Sequence, residues 1–545
     1  MTAETAPRPK VAMFVLNPCH NDARVRKEAA SLGRHGFDVR IFALASTTHP
    51  EAILDEGDFV IHRLHVQSLY QRLVTRLGPG RRGVPLRGPR RWARDGGWAL
   101  TAVVIWIVLR LRRGQPVRAP AATTVSRRAR LRQVVMRVAT GLGRVLPAGL
   151  RHRLRVTLRR ADRAARRGAR RILGTTRSAV RSAGRSGRRS AARLRRRTRR
   201  VVHAIRRVPR NFVRRRLIIL HRPTIFRAYH RRAAQEAIAW RAEVAHGHDL
   251  NALPAAVAVA DALHVPVVYD SHELWRHRNR VGNWQPLGRV ADAFVERRLV
   301  RRTAHIITVG DAIAAWLVDR YGLPEGHVTV LRNVPPRRAA GLPLVSLRDR
   351  AGVGAAPLLL YTGRITTGRG LEDAIAVLGD VDVHLVMLGY GDPGYVEGLF
   401  GLAGRIGVGD RLHLVGPVAP DEVSATAAQA DAVLVAIEPL CLSYRLALPN
   451  KLFEAIQAEV PVVASDLPEI AAIVRSHGVG ELFASGDADG LRAALRRVLE
   501  AGRDAYAEPL AAAASVLCWE VEEAVLLDVY DGLGLDRAAS VASSS

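Results

Sequence analysis

Short, unbroken apolar runs, each leading through a polar turn into a helical pattern, recur at both ends of this 545-residue chain and confine it to one kind of architecture. Residues 11–16 read as a strand, 17–22 as a turn, 23–34 as a helix closed by Gly36, and 39–44 as a second strand. Strands that are apolar on both faces need cover on both, which a parallel sheet flanked by helices provides. The pattern stops near Tyr70. It resumes after Gln235 with a helix through Trp240, a helix at 255–263 and strands at 265–269, 305–309 and 328–331. Beyond a linker at 335–343 a second series has strands at 358–362, 383–388, 412–415, 432–436 and 460–464, with helices between most of them, as at 371–378.

The expected fold class is therefore α/β, with two Rossmann-like doubly wound domains and an Arg-rich insert, helical or disordered, in the first. The expected divisions are 1–70 and 236–334 for the two parts of the N-terminal domain, and 71–235 for the insert. The C-terminal domain takes 344–512, a C-terminal helix 513–537 and a disordered tail 538–545. Ligands of such sheets bind in the crevice outside the carboxyl ends of the strands.

Charge is distributed unevenly. Residues 71–235 hold 49 arginines, no lysine and only Asp95 and Asp162 as acids, while the whole chain is +35, so the remainder is net acidic. Leu150, Leu154, Leu158, Ala161, Ala165 and Ile172 recur every three to four positions among arginines, and Leu194, Val201, Ile205 and Val208 repeat the pattern. Basic amphipathic helices of this kind suit an anionic membrane surface or a polyanion. Residues 107–211 lack Phe, Trp and Tyr, which removes the stacking platforms that single-stranded nucleic acid uses. The membrane is thus favoured over nucleic acid, although arginine density also supports the latter; a solvated spacer is a third reading. The apolar run at 98–109 falls short of the ~20 residues a span requires. Three distant cysteines without a CxxC pair fit a reducing cytosol, and the first ten residues show no signal-peptide pattern. The expected location is cytoplasmic, attached peripherally to the cytoplasmic face of the cell membrane.

The chain has only three lysines, and one of them, Lys451, stands in the run PNKLFEA one helical turn before Glu454. A compact point charge in a chain that otherwise uses arginine suits a phosphate site. Tyr361-Thr362-Gly363-Arg364, followed by Gly368-Arg369-Gly370 and a helix from Leu371, offers close backbone approach, a helix N-terminus and two guanidinium groups, a combination suited to a pyrophosphate. His248 and His272 stand at strand ends, as ligand-positioning or as structural hydrogen-bonding groups. Asp249, Asp270 and Glu273 read either as functional acids or as helix caps, and Asn21 and Asp22 as a helix start or an acceptor-side pair. No dense carboxylate cluster suggests a metal.

Together these residues resemble the GT-B glycosyltransferases of family 4. The matching pieces are Asn21-Asp22-Ala23-Arg24-Val25 with Lys27-Glu28-Ala29, His246-x-His248-Asp249, Asp270-Ser271-His272-Glu273, Gly363-Arg364 with Arg369-Gly370, Gly389-Tyr390-Gly391, Ala430-Asp431, and PNKLFEA followed by PVVASDLPE. They follow the family's order through both halves and leave out only 71–235. The resemblance implies transfer of a sugar, with retention, from a nucleotide-diphosphate donor; a glycan or lipid-linked envelope acceptor follows from the expected membrane location, and with these cations present no cofactor and no metal is expected. It implies that Arg364 and the basic residue near Gly370 hold the donor diphosphate; the expected catalytic residues are Arg364, Lys451 and His248. The donor site would comprise Gly363, Arg364, Arg369, Gly370, Gly389, Gly391, Asn450, Lys451, Leu452 and Glu454, with Glu454 on the ribose. Asn21, Asp22, His272 and Glu273 fall on the acceptor side. Two departures stand out: Arg369 replaces a common lysine, and Leu446 occupies the position where a Glu-x7-Glu motif requires Glu. The alternatives are a GT-B sugar-nucleotide epimerase and a nucleic-acid-binding protein acting through the insert.

Overall fold

The computed structural model describes residues 8–76, 221–279, 286–338 and 346–535, all within one compact unit of the chain. The predicted basic helices, the apolar run at 98–109, much of the linker and the tail lie outside the described residues.

The N-terminal half runs β1 (Lys10–Val15), α1 (Ala23–Arg34), β2 (Asp38–Leu44), β3 (Ala52–Asp55), β4 (Val60–Leu64), α2 (Leu69–Arg76), α3 (His221–Ala239), β5 (Val244–His248), α4 (Asp249–Leu263), β6 (Val267–Ser271), α5 (Pro286–Val300), β7 (His305–Thr308), α6 (Asp311–Tyr321) and β8 (Val328–Val330). Its eight strands lie in the order β3-β4-β2-β1-β5-β6-β7-β8, all parallel except β3. The C-terminal half runs α7 (Leu347–Ala351), β9 (Leu358–Ile365), α8 (Leu371–Val377), β10 (His384–Gly391), α9 (Pro393–Arg405), β11 (Leu412–Leu414), α10 (Val423–Ala427), β12 (Ala432–Val435), α11 (Leu442–Arg445), α12 (Asn450–Gln457), β13 (Val462–Ser465), α13 (Pro468–His477), β14 (Gly480–Phe483), α14 (Ala488–Ala501), α15 (Ala507–Val516) and α16 (Trp519–Asp531). Its sheet is parallel, in the order β11-β10-β9-β12-β13-β14. The two doubly wound domains expected from the apolar runs are present.

Side chains of β1 show why the sheet must be covered twice. Val11, Met13 and Val15 enter one apolar core while Ala12 and Phe14 enter another, and all five are buried. The first core is continuous across both halves, through Leu331, Val334 and the α16 residues Trp519, Leu526 and Tyr530. Helix α16 thus follows the second sheet in sequence but packs back on α1, where Trp519 Nε1 donates to Ser31 Oγ at 3.0 Å.

Helix α3 begins at His221, well before the point where the apolar pattern becomes legible. Tyr229, Ala233 and Ala237 recur at i, i+4 and i+8 on its buried side, beneath the arginines at 227, 231 and 232. The Tyr229 hydroxyl fixes the helix to the sheet by donating to the Phe42 carbonyl at 2.7 Å. In each sheet the chain reverses its winding beside the first strand, between β1 and β5 and between β9 and β12. Those two switch points set the location of the ligand crevice.

Candidate functional site

On the C-terminal side the crevice is built from the ends of β9, β10 and β12 and the start of α12. Gly363 has φ +97, and its register partner is Gly389, where a Cβ would stand 1.9 Å from the Gly363 carbonyl oxygen. A Cβ on Gly391 would stand 2.4 Å from the Ile365 oxygen, so close strand approach alone demands glycine at both positions. Gly370, at φ +60, precedes α8 and leaves no room for a Cβ against Ala436. Helix α8 has only seven residues, with Glu372 and Asp373 in its first turn. Positive potential here therefore comes from the basic side chains more than from the helix end.

Two of those side chains, Arg369 and Lys451, lie close enough to interact electrostatically. Arg364 is exposed at the end of β9, and Arg369 lies over the Tyr444 ring, 4.7 Å from its centroid. Lys451, 8 % exposed, holds Nζ 3.4 Å from the centroid of the Tyr361 ring. That Nζ is buried without a hydrogen-bond partner. Burial, then Arg369, hold the amine well below the ordinary lysine range against the pull of Glu454. Glu454 Oε2 accepts from Thr362 Oγ1 at 2.9 Å; burial pushes this carboxyl up, opposed by that bond and by Lys451 and Lys27. Asn450 Oδ1 accepts from Asn333 Nδ2 across the crevice at 3.0 Å, and Leu452 is fully buried in the core, leaving only its main chain for a ligand.

On the N-terminal side the ends of β5 and β6 meet α1. Asp270, a candidate cap by sequence, caps nothing: it is fully buried and accepts Arg24 Nε at 2.7 Å and Arg24 Nη2 at 2.8 Å. It also accepts His272 Nε2 at 2.7 Å and His248 Nδ1 at 3.1 Å. Burial opposes ionisation, yet Arg24, His272 and these bonds hold the carboxyl well below its ordinary range. For His272, burial is outweighed by Asp270 and Asp249, which bring it up to about 10. Burial and then Asp270 push Glu28 up to about 8 against Arg24, and burial pushes Asp249 to about 6. His248 is pulled down by burial; with Nδ1 on Asp270 its Nε2 is buried and unpartnered. His246 stacks on His248 at 4.3 Å and shares a 2.8 Å hydrogen bond with the Tyr530 hydroxyl of α16.

Glu28, His246, His248 and Asp270 have ligand atoms within 4.8 Å of one another, a gathering that spans some 240 positions of sequence and was not legible there. The Arg24 guanidinium already lies against both carboxylates, 3.0 Å from Glu28 and 2.7 Å from Asp270, and is the cation of this cluster. Nearer the rim, Asp22 Oδ2 accepts Asn17 Nδ2 at 2.8 Å and makes no cap bond to α1; Asn21 is exposed. Glu273 reaches across the crevice, where Oε2 accepts Ser443 Oγ at 3.2 Å.

Glu469 and Lys27, each part of a motif quoted above, make further ties that spacing alone did not indicate. Glu469 of α13 accepts the backbone N–H groups of Asp311 at 3.2 Å and Ala312 at 2.6 Å, at the start of α6. Gly310 makes room for it, since a Cβ there would lie 2.7 Å from Oε2. Lys27 donates to Asn333 Oδ1 at 3.3 Å and to the Val334 carbonyl, with Nζ 4.5 Å from the Trp519 ring centroid. Burial and Arg24 bring its amine down to about 7, against Glu28 and Glu454. A separate cavity between α2 and α3, lined by His65, Arg72, Arg231 and Arg232 among others, contains none of the expected site residues.

A pH experiment tests the buried cluster. A histidine raised from 6.5 to about 10 contributes stability that is fully present below pH 6.5 and is lost as pH rises through 10. Urea unfolding of His272→Gln should therefore show a flatter fall in stability between those values than the wild type. Superimposable profiles would place His272 outside the network.

Comparison with known proteins places a glycosyltransferase match in each half. Residues 356–501 match the family described as "Glycosyl transferases group 1", and residues 135–334 match "Glycosyltransferase Family 4". The second match starts within the arginine-rich segment, which the motif resemblance leaves out. Glycogen synthase of Mycobacterium tuberculosis is 31% identical over 270 residues, covering 48% of this chain and 61% of that protein. Sucrose-phosphate synthase from Thermosynechococcus elongatus superimposes with a TM-score of 0.56 at 13% identity, covering 97% of this chain and 99% of the other. The trehalose-6-phosphate structure from E. coli, bound with UDP-2-fluoro glucose, gives 0.55 at 10% identity, covering 96% and 98%.

Proposed function

We propose that this chain, a GT-B-fold protein built from glycosyltransferase group 1 and family 4 domains, moves a sugar from a nucleoside-diphosphate sugar to an acceptor hydroxyl with retention at the anomeric carbon. The observation that carries the reading is the Lys451 ammonium site: a buried, unpartnered amine, with Arg369 beside it and Arg364 at the adjoining strand end. A buried cation without a partner is costly, and a diphosphate supplies the missing charge. In the reaction the bond from the anomeric carbon to the diphosphate oxygen breaks, and its electron pair leaves with the diphosphate. The acceptor oxygen bonds to the same carbon from the same face, and its proton passes to the departing diphosphate. Fixed cations stabilise that leaving charge most in the transition state. Since Arg364, Arg369 and Lys451 supply the positive charge, the reading needs no metal. Glu454, one turn beyond Lys451, is assigned to the ribose hydroxyls. His248, lowered by burial and with Nδ1 on Asp270, would accept a sugar-hydroxyl hydrogen at Nε2, which is buried and unpartnered in the ligand-free fold.

Thermal shift against a panel of nucleotide sugars tests the assignment, because a ligand that binds only the native state must raise its stability. UDP-glucose comes first, given the UDP-2-fluoro glucose in the E. coli structure. Acceptor-dependent transfer of the sugar then separates a transferase from an epimerase. Glu454→Gln should weaken donor binding by about 1–3 kcal/mol; a calorimetric titration matching the wild type would reduce Glu454 to a helix residue.

A glycan or lipid-linked acceptor at the cytoplasmic face of the membrane completes the proposal, supported by the 49 arginines of 71–235. Among the described residues no helix is long and apolar enough to cross a membrane. The full chain should sediment with anionic vesicles and release as salt rises, each surface-near arginine contributing up to about 1 kcal/mol. Displacement from vesicles by RNA at physiological salt, with no displacement of RNA by vesicles, would favour nucleic acid as the partner.

A further inference from the structure

Leu446, where the resemblance calls for glutamate, packs against the apolar core of the N-terminal domain together with Leu442. The segment entering α12 therefore brings no carboxylate at this point, and Leu442 and Leu446 meet the opposite domain through apolar contact. Ser443, one turn earlier, points its hydroxyl across the crevice to Glu273. Glu273 is the acid that follows the Asp270–His272 pair at the end of β6. Its side chain is 36 % exposed, with Arg278 at 3.6 Å from Oε1. The Glu273–Ser443 pair thus lies between the proposed diphosphate cations on the C-terminal side and the His248 cluster on the N-terminal side. A sugar attached to that diphosphate must occupy the same interval.

We infer that Glu273, reaching from the N-terminal domain, is the carboxylate that binds the hydroxyls of the donor sugar, with Ser443 as its hydrogen-bonding neighbour. This inference rests on the nucleotide-sugar reading and reassigns Glu273 from the acceptor side to the donor sugar. A carboxylate accepts from two adjacent hydroxyls at once, which a serine or an apolar residue cannot do. Placing that acid on the opposite domain from Lys451 makes recognition of the sugar depend on both halves of the crevice. Recognition of the nucleoside diphosphate, by contrast, remains with the C-terminal half. The arrangement also accounts for Leu446: with the acid supplied from across the crevice, that position is left to dock the two domains.

The test compares a nucleoside diphosphate with its sugar conjugate, using UDP and UDP-glucose, ADP and ADP-glucose, and GDP and GDP-mannose on the full chain. Glu273→Gln keeps the size of a partly exposed side chain, so the fold is retained, as an unchanged melting temperature checks. For the pair that the wild type binds, the variant should bind the nucleotide sugar about tenfold to a hundredfold more weakly and leave affinity for the free diphosphate unchanged. Ser443→Ala should shift the same ratio in the same direction by less. Equal weakening for both ligands would make Glu273 a domain-docking residue and overturn the inference alone, as would no change for either. A wild type that binds no nucleotide sugar of a broader panel would overturn the nucleotide-sugar reading, and Glu273's role with it.

Discussion

Lys451→Met is expected to lower transfer about a hundredfold, on the order of 3 kcal/mol, while the melting temperature holds or rises. The two effects have one cause. The Lys451 amine is buried against Tyr361 with no hydrogen-bond partner, so burial disfavours its charged form in the ligand-free fold and only a bound anion offsets that penalty. Methionine keeps the apolar stem and removes that penalty. The pH dependence follows. An amine lowered well below 10.5 on folding makes the unfolded chain bind more protons, so its contribution to stability rises with pH between the folded value and 10.5. Lys451→Met should lose that slope. Binding of a nucleoside diphosphate should be accompanied by proton uptake in the wild type, visible as buffer-dependent heats in calorimetry. A variant with wild-type turnover would remove the central claim, and a large drop in melting temperature would make Lys451 structural.

Arg24→Ala should destabilise the protein by about 3–5 kcal/mol, because removing one partner of a buried ion pair strands the other. Asp270 is fully buried, and Arg24 is its bidentate partner besides donating to the Leu331 carbonyl at 2.8 Å. The loss should be read by urea unfolding at neutral pH. Asp270 adds an acid-side signature: its depressed carboxyl contributes stability that is present above the ordinary value of 3.8 and is lost as pH falls through the folded one. Arg24→Ala should blunt that loss. Combining it with Asp270→Leu should cost less than the sum of the two single changes, since the stranded charge is then gone. A single-variant loss under about 1 kcal/mol would show that the cluster is not held by this pair.

The interdomain ties give these predictions a common setting. Glu469 on the start of α6, Asn450 on Asn333, and Ser443 on Glu273 each join an element of the C-terminal half to one of the N-terminal half. Side chains around the donor site are therefore also the side chains that join the two halves.

Much of this was legible in local pattern. Helix α1 spans Ala23–Arg34 as its apolar spacing and Gly36 indicate, and the PNKLFEA run forms α12 with Lys451 and Glu454 one turn apart. Strands buried on both faces announce themselves as unbroken apolar runs, so the two doubly wound sheets could be read from sequence. Of the four edge strands, β8 and β11 were legible as apolar runs and β3 and β14 were not. β3, half-exposed and antiparallel, and β14, which opens with Gly480 and Glu481, carry mixed composition because one side of each meets solvent. Helix α3 was hidden by its arginines, because small buried alanines leave a weak periodic signal.

What only the tertiary structure decided is which polar residues meet. Asp270, which in sequence reads as a functional acid or a helix cap, caps nothing and is the partner of Arg24, 246 positions away, while Tyr530 reaches His246 from 284 positions away. Periodicity and capping rules report interactions within a few turns of chain. The pairing of charges across a crevice depends on strand order and on how two domains close, which no local pattern encodes. The sequence by itself determined the two sheets and the position of a lone lysine at a helix start; packing decided that this lysine would be buried without a partner, and that property makes it a site.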